Sequence, residues 1–131
     1  MNNFDQTEIE SAIGAALRQL GLSKNVYYNR PRSKDANLKD FVVCKVVGSI
    51  RDYGAFGMCT VAVYLYAQDV ANMKNAKKLS LMQGKLKDGI EAQIGNLVLD
   101  CKGVEPVGDV PDEGGYHLRI IQLKQVIIKI V

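Results

Sequence analysis

The sequence predicts an α+β domain in which an antiparallel β-sheet with a long hairpin packs against two helices, in the order α-β-β-β-α-β-β. Two stretches with helical periodicity, one near the N-terminus and one in the middle, are separated by runs rich in β-branched residues. The 131 residues are enough for one domain, 1–131, that buries its own core. An apolar fraction of 47% is typical of a globular chain and argues against bulk disorder.

The first helix is predicted over residues 6–20. Thr7 and Glu10 have the spacing of a capping box, and Gly21 is a typical C-terminal stop. The apolar residues of this segment fall on one helical face: Ile9, Ile13, Ala16, Leu17 and Leu20.

Three strands are predicted to follow. Residues 26–28 form a short strand that ends before Pro31, because a proline biases the preceding residue towards an extended backbone. Residues 41–50 are β-branched and predict a strand buried on much of both faces. Residues 58–69 alternate between two faces and predict a second long strand. Glycines in the intervening turn indicate that the two long strands form an extended hairpin.

A long amphipathic helix is predicted over residues 70–93, capped by Asp69 and ended by Gly95. Gly84 and Gly89 lie inside it and suggest close packing or a mild break. Its apolar residues keep helical steps of three and four: Val70, Met73, Ala76, Leu79, Met82, Leu86 and Ile90.

The C-terminal third is predicted to contain two strands, 97–104 and 116–131, joined by a loop. The segment 105–115 is rich in Pro, Gly and Asp, which indicates a loop rather than regular structure. Ile120 and Ile121 are adjacent apolar residues of opposite parity and suggest a bulge or bend in the last strand.

No catalytic or metal site is predicted, and no cofactor. Cys44, Cys59 and Cys101 are widely spaced without a CxxC motif, so neither a zinc site nor a disulfide framework is indicated. Their apolar neighbours favour small buried side chains over reactive thiols. The one conceivable acid–base pair is His117 with Cys101 or Ser80, but a histidine that opens a strand is more often structural.

Charge is divided unevenly along the chain, although the net charge is only +3. Residues 73–87 hold five lysines and no acid, whereas residues 103–115 hold four acids and no base. This division suits a surface that meets a copy of itself. The predicted interface residues are Arg30, Arg32, Lys34, Lys74, Lys77, Lys78, Asp109, Asp112 and Glu113.

The basic loop 30–39 has three interpretations: a phosphate-contacting loop, a protein–protein contact, or a solvated loop whose two aspartates partly neutralise it. Tyr27 and Tyr28 point to opposite sheet faces and so cannot form one stacking platform. A small nucleic-acid-binding module, using this loop and the lysine-rich helix, is therefore the alternative function. A third hypothesis is an enzyme that uses Cys101 or Cys59 as its nucleophile.

The element order resembles that of the tail terminator proteins of long-tailed bacteriophages, the minor tail protein U type. The residues that carry the resemblance are "VYYNRP", a brief strand ending in Arg30-Pro31, the hairpin strands "DFVVCKVVGSI" and "CTVAVYLYAQD", the long helix after the aspartate, and the closing strand "LKQVIIKIV". Related tail-completion and head–tail joining proteins share this general design.

The resemblance implies a non-enzymatic structural protein of a phage or prophage. Such proteins form a hexameric ring that caps the tail tube, ends its polymerisation and provides the surface to which the DNA-filled head attaches. The implied partners are further copies of the chain, the tail tube protein, the head–tail connector and DNA passing transiently through the lumen. No membrane partner is expected, because no apolar run is long enough to span a bilayer. The protein would occupy the bacterial cytoplasm during assembly and the virion tail afterwards.

Overall fold

A computed structural model describes residues 4–28, 38–112 and 114–130. Within these ranges the chain forms two helices and six strands, which confirms the α+β class. In chain order they are α1 (Gln6–Leu20), β1 (Val26–Tyr28), β2 (Asp40–Asp52), β3 (Gly57–Gln68), α2 (Ala76–Gly84), β4 (Ala92–Ile94), β5 (Leu97–Asp112) and β6 (Tyr116–Lys129).

The strands form one sheet in the order β1-β2-β3-β6-β5-β4. All neighbours are antiparallel except β1 and β2, which run parallel over three residue pairs. Both helices cover the same face, called here the helix face, where Leu17 of α1 and Leu79 of α2 share one apolar cluster with Val63 and Leu123. The opposite, outer face carries a smaller cluster around Phe41 and Tyr116.

The first helix has the predicted bounds, but its N-terminal cap differs from the prediction. Asp5, not Thr7, is the N-cap, and its carboxylate accepts the backbone N–H groups of Thr7 and Glu8. Glu10 lies on the buried side of α1, where its Oε2 accepts the Val46 N–H at 2.9 Å. The predicted capping box is therefore wrong, because the helical phase turns Glu10 towards the sheet. Gly21 ends the helix at φ 73°, as predicted.

The second helix spans only nine residues, so the predicted helix 70–93 is wrong outside Ala76–Gly84. Ala71 and Asn72 have positive φ angles, and a tight turn that bridges Val70 and Met73 occupies the predicted first turns. Asn75 is the N-cap, not Asp69. The apolar residues beyond α2 are nevertheless buried, because an irregular segment keeps them against the sheet.

Gly89 interrupts that segment at φ 73°, a conformation that favours glycine. A Cβ added at this position would lie 2.1 Å from the Sγ of Cys101, so glycine is also required by close packing. The extra strand β4 begins at Ala92, inside the range predicted as helix, and Gly95 belongs to the β4–β5 turn.

The predicted loop 105–115 is wrong as well, because β5 continues through it to Asp112 and pairs with β6 along almost its full length. Register shifts between Cys101 and Gly103 and between Pro106 and Gly108 absorb the irregular residues. The second shift lies opposite Ile120 and Ile121. The bulge that these two residues suggested for the last strand is therefore in β5, the strand that pairs with it.

Candidate functional site

Two of the predicted interface residues pair with each other inside the chain. The Nζ of Lys74 lies 2.9 Å from Oδ2 of Asp109. Arg119 donates to both oxygens of the same carboxylate, from Nε to Oδ1 at 2.7 Å and from Nη2 to Oδ2 at 2.9 Å. The hydrogen bonds from Arg119 have the largest effect, and together with that from Lys74 they lower the pKa of Asp109 to about 2.

Arg119 is a central residue that the sequence analysis missed. Its Nη1 also donates to Gln83 Oε1 at 2.9 Å and to Ser80 Oγ at 3.2 Å, so one guanidinium joins α2 to the β5–β6 hairpin. The sequence indicates on which face of the sheet Arg119 lies, since Arg119 has the same strand parity as Ile121 and Leu123, which face the helices.

The remaining predicted interface residues are dispersed. Lys78 pairs with Asp40 at 3.3 Å, whereas Lys77 is exposed on α2 and Asp112 ends β5. The other four lie outside the described residues: Arg30, Arg32, Lys34 and Glu113.

Two stretches of the sheet border are not covered by a neighbouring strand in the described part of the chain. β1 pairs with β2 only at Val42–Cys44, and β4 pairs with β5 only at Leu97–Leu99. We call residues 45–52 of β2 the basic edge and residues 103–112 of β5 the acidic edge. They lie on opposite sides of the sheet, with β3 and β6 between them.

The basic edge carries Lys45 and Arg51, with the exposed side chain of Val47 between them. Lys45 lies over the ring of Tyr64, 5.6 Å from its centroid, which holds the ammonium group at the outer face. Asp52, the one acid of this edge, caps the following turn by accepting the Gly54 N–H at 2.8 Å.

The acidic edge carries Glu105, Asp109 and Asp112 and no basic residue. Asp109 is already paired with Lys74 and Arg119, so the negative charge of this edge comes from Glu105 and Asp112. Two of its valines are exposed, Val107 at 55% and Val110 at 42%, which is high for β-branched residues in a strand. The edge thus combines negative charge with uncovered apolar side chains, a combination that suits a protein contact.

A third feature is an open cleft of about 640 Å³ at the end of the sheet where β1 and β2 begin. We call it the basic cleft. Its charged lining consists of one acid, Asp40, and five cations: Arg18, Lys24, Lys39, Lys78 and Lys85. The cleft therefore has a formal charge of +4 from these side chains.

The residues proposed for catalysis are engaged elsewhere. His117 Nδ1 lies 2.7 Å from Asp69 Oδ1, a partner the sequence analysis did not suggest. Cys101 Sγ instead contacts the Gly103 carbonyl oxygen at 3.3 Å. Cys59 is buried, and burial raises the pKa of its thiol to about 11, which disfavours a thiolate nucleophile at this position.

Burial likewise raises the pKa of Cys44 to about 12, with Glu10 adding to the effect. Among the described residues, no group of three or more His, Cys, Asp or Glu side chains is arranged to hold a metal ion. No helix in the described ranges has the length and apolar character needed to cross a membrane.

Comparison with known proteins finds no protein-family model that matches the chain and no curated protein that matches it. The two sheet edges and the basic cleft are the surface features of the described residues that favour binding to another molecule.

Proposed function

We propose that the protein is a non-enzymatic assembly subunit that forms a ring and caps the tail tube of a phage or prophage. In this role it ends polymerisation of the tube and offers the surface to which the head attaches. The observation that carries the proposal is the difference between the two uncovered sheet edges, because one is basic and the other is acidic with exposed valines.

Two different patches on opposite sides of one subunit are the requirement for head-to-tail association. Such contacts close into a ring when the rotation between subunits permits it. Exposed valines lie between the charges on both edges.

The contact would be made by side chains and not by a continuous backbone ladder. Pro106 and Pro111 lack N–H groups, and Gly48, at φ 74°, lies where the β2–β3 register shifts. The Val46 N–H is already taken by Glu10. These features protect both edges from indiscriminate strand pairing, which suits a subunit that stops at a defined assembly.

The specific role as a tail terminator rests on the resemblance described above. The short first strand followed by a long β2–β3 hairpin supports it. α2 is shorter than the resemblance implies, so the support comes from the hairpin and not from the helix.

Charge reversal tests the association directly. We expect a Lys45→Glu/Arg51→Glu variant and a Glu105→Lys/Asp112→Lys variant each to lose self-association, because like charges would face each other. Their mixture should associate again, since each variant retains one wild-type edge and the reversed edges complement each other. Sedimentation velocity over a wide concentration range measures this, and Lys77→Glu, on the exposed surface of α2, is the matched control.

The same proteins should be incubated with purified tail tubes of the phage or prophage that encodes the chain. The wild type and Lys77→Glu should bind tube ends and form rings there, visible by negative-stain electron microscopy. A wild-type protein that stays monomeric and never binds tubes would refute the proposal. Rings without tube binding would retain the assembly function and refute the terminator role.

A further inference from the structure

The basic cleft brings together cations that are far apart in sequence. Arg18 comes from the last turn of α1, Lys24 from the turn after it, and Lys39 from the residue before β2. Lys78 and Lys85 come from α2 and the position directly after it. Four segments of the chain thus converge on one concave surface, which none of them could form alone.

Three of the five cations are held in position by hydrogen bonds to the cleft wall. The Nη2 of Arg18 donates to the Val26 carbonyl oxygen at 2.6 Å, and the Nζ of Lys85 donates to that of Gly21 at 2.9 Å. Lys78 is held by Asp40. Each of these groups has further N–H donors, since a lysine ammonium has three and a guanidinium has five. The cleft therefore presents donors whose positions are already fixed, which lowers the entropy cost of binding an anion.

Interaction with the C-terminus of α1 explains only some of the positive charges in the basic cleft. Lys85 and Arg18 lie near the C-terminus of α1, where the helix dipole favours cations. Lys24 and Lys39 are exposed and form no ion pair within the part of the chain that the structure describes. Among the described lining residues the one counter-charge is Asp40, which already pairs with Lys78, an arrangement that an anionic ligand would relieve.

We propose that the basic cleft is a binding site for the phosphate backbone of a polynucleotide. Each phosphodiester of a strand carries one negative charge, whereas a single phosphate monoester carries about −1.5 to −2, so a formal charge of +4 matches about four phosphates of one strand better than one isolated group. None of the ten described lining residues is aromatic. Tyr27 and Tyr28 belong to different faces of the sheet, with Tyr28 in the helix-face cluster and Tyr27 beside Phe41 on the outer face. Recognition is therefore by charge and independent of base sequence.

This site is separate from the two sheet edges that carry the proposed ring contact. The basic cleft also differs from the nucleic-acid site predicted from the sequence, which used loop 30–39 and the lysine-rich helix. Arg18 and Lys24 line the cleft, whereas Lys77 and Lys87 do not. Binding here requires only one copy of the chain.

The test is fluorescence anisotropy with a labelled 20-nucleotide DNA strand of mixed sequence, at protein concentrations where the chain does not self-associate. At about 50 mM salt we expect a Lys24→Gln/Lys39→Gln variant to bind at least about tenfold more weakly than wild type. The magnitude of the slope of log K against log salt should fall by about 0.7 for each lysine removed, as expected for a single strand. Lys77→Gln removes one lysine charge from an exposed position of α2 outside the cleft, and should bind like the wild type.

Competition distinguishes the possible ligands. Unlabelled DNA of unrelated sequence should displace the probe as well as the parent strand does, whereas inorganic phosphate at the same phosphate concentration should not. Equal displacement by poly-glutamate would assign the cleft to an acidic protein partner and overturn the proposal. So would absence of binding by the wild type at about 50 mM salt, or an equal loss in the Lys77→Gln variant.

Both lysines are exposed, so the double variant should fold, which its circular dichroism and thermal unfolding will check. Failure of this experiment leaves the edge-reversal test unaffected. Conversely, a chain that never forms rings could still bind DNA in the cleft.

Discussion

Arg119 on β6 and Asp109 on β5 face each other across the hairpin and form two parallel hydrogen bonds, 2.7 and 2.9 Å long. Bidentate pairs of this kind are among the stronger polar contacts in proteins. Because Arg119 also reaches Gln83 and Ser80 of α2, the pair fixes the acidic edge relative to the helix. The geometry of the proposed contact surface thus depends on one guanidinium.

Replacing Arg119 with methionine should lower the free energy of unfolding by about 1–2 kcal/mol, because Asp109 would lose its bidentate donor while remaining partly buried. Urea denaturation followed by circular dichroism measures this. Lys102→Met is the control, since its pair with Asp100 is exposed and should contribute little. An equal loss in both variants would contradict the assigned role of Arg119.

Acid should weaken the same contact. The folded pKa of Asp109, about 2, lies below the ordinary value of 3.8, so its contribution to stability is present above pH 3.8 and is lost as the pH falls towards 2. The stability difference between the wild type and Asp109→Asn should therefore shrink as the pH is lowered through this window. Urea unfolding at a series of pH values tests the trend, and a difference that does not depend on pH would count against it.

Gly89→Ala should be strongly destabilising, by about 2–4 kcal/mol, because the new Cβ meets Cys101 and the backbone has a positive φ. Gly95→Ala is the matched control: its φ is also positive, at 60°, but nothing lies within 4 Å of the added Cβ. Its cost should be only about 1–2 kcal/mol. Thermal unfolding of both variants separates the steric effect from the backbone effect, and similar losses would show that packing against Cys101 contributes nothing.

Pro106→Val/Pro111→Val should promote uncontrolled assembly, because the acidic edge would regain two N–H donors and β propensity. We expect concentration-dependent aggregates that bind thioflavin T, while the monomer remains at least as stable as wild type. Light scattering and dye binding measure the effect. Val107→Thr/Val110→Thr, which leaves both prolines in place, should stay free of such aggregates.

Much of the fold follows from local pattern. The bounds of α1, the β2–β3 hairpin and the opposite directions of Tyr27 and Tyr28 were predicted from periodicity, since burial on one side imposes a period of 3.6 or 2 on the residues themselves. Burial of Cys44 and Cys59 follows equally well from their apolar neighbours.

The length of α2 and the extent of β5 were not predictable in this way. Helical spacing of apolar residues continues beyond Gly84, yet the helix ends there. Gly89 then packs closely against Cys101, a contact that spans twelve positions and that no local pattern reveals. Pro106 and Pro111 indicated a loop, because proline is rare inside strands that pair on both sides. The sequence cannot reveal that one side of β5 lacks a neighbouring strand along this stretch and needs no N–H donors there.

The candidate sites, like the fold, were predictable from the sequence only where they depend on residues close together in the chain. The sequence by itself determined that charge is segregated and that helix and strand faces alternate, because both properties belong to residues close together in the chain. Only the tertiary structure decided that Lys74 and Asp109, 35 positions apart, pair within one subunit, and that five cations from four segments share one cleft. Such groupings depend on the long-range register of the sheet and on where α2 packs, and no local pattern encodes either.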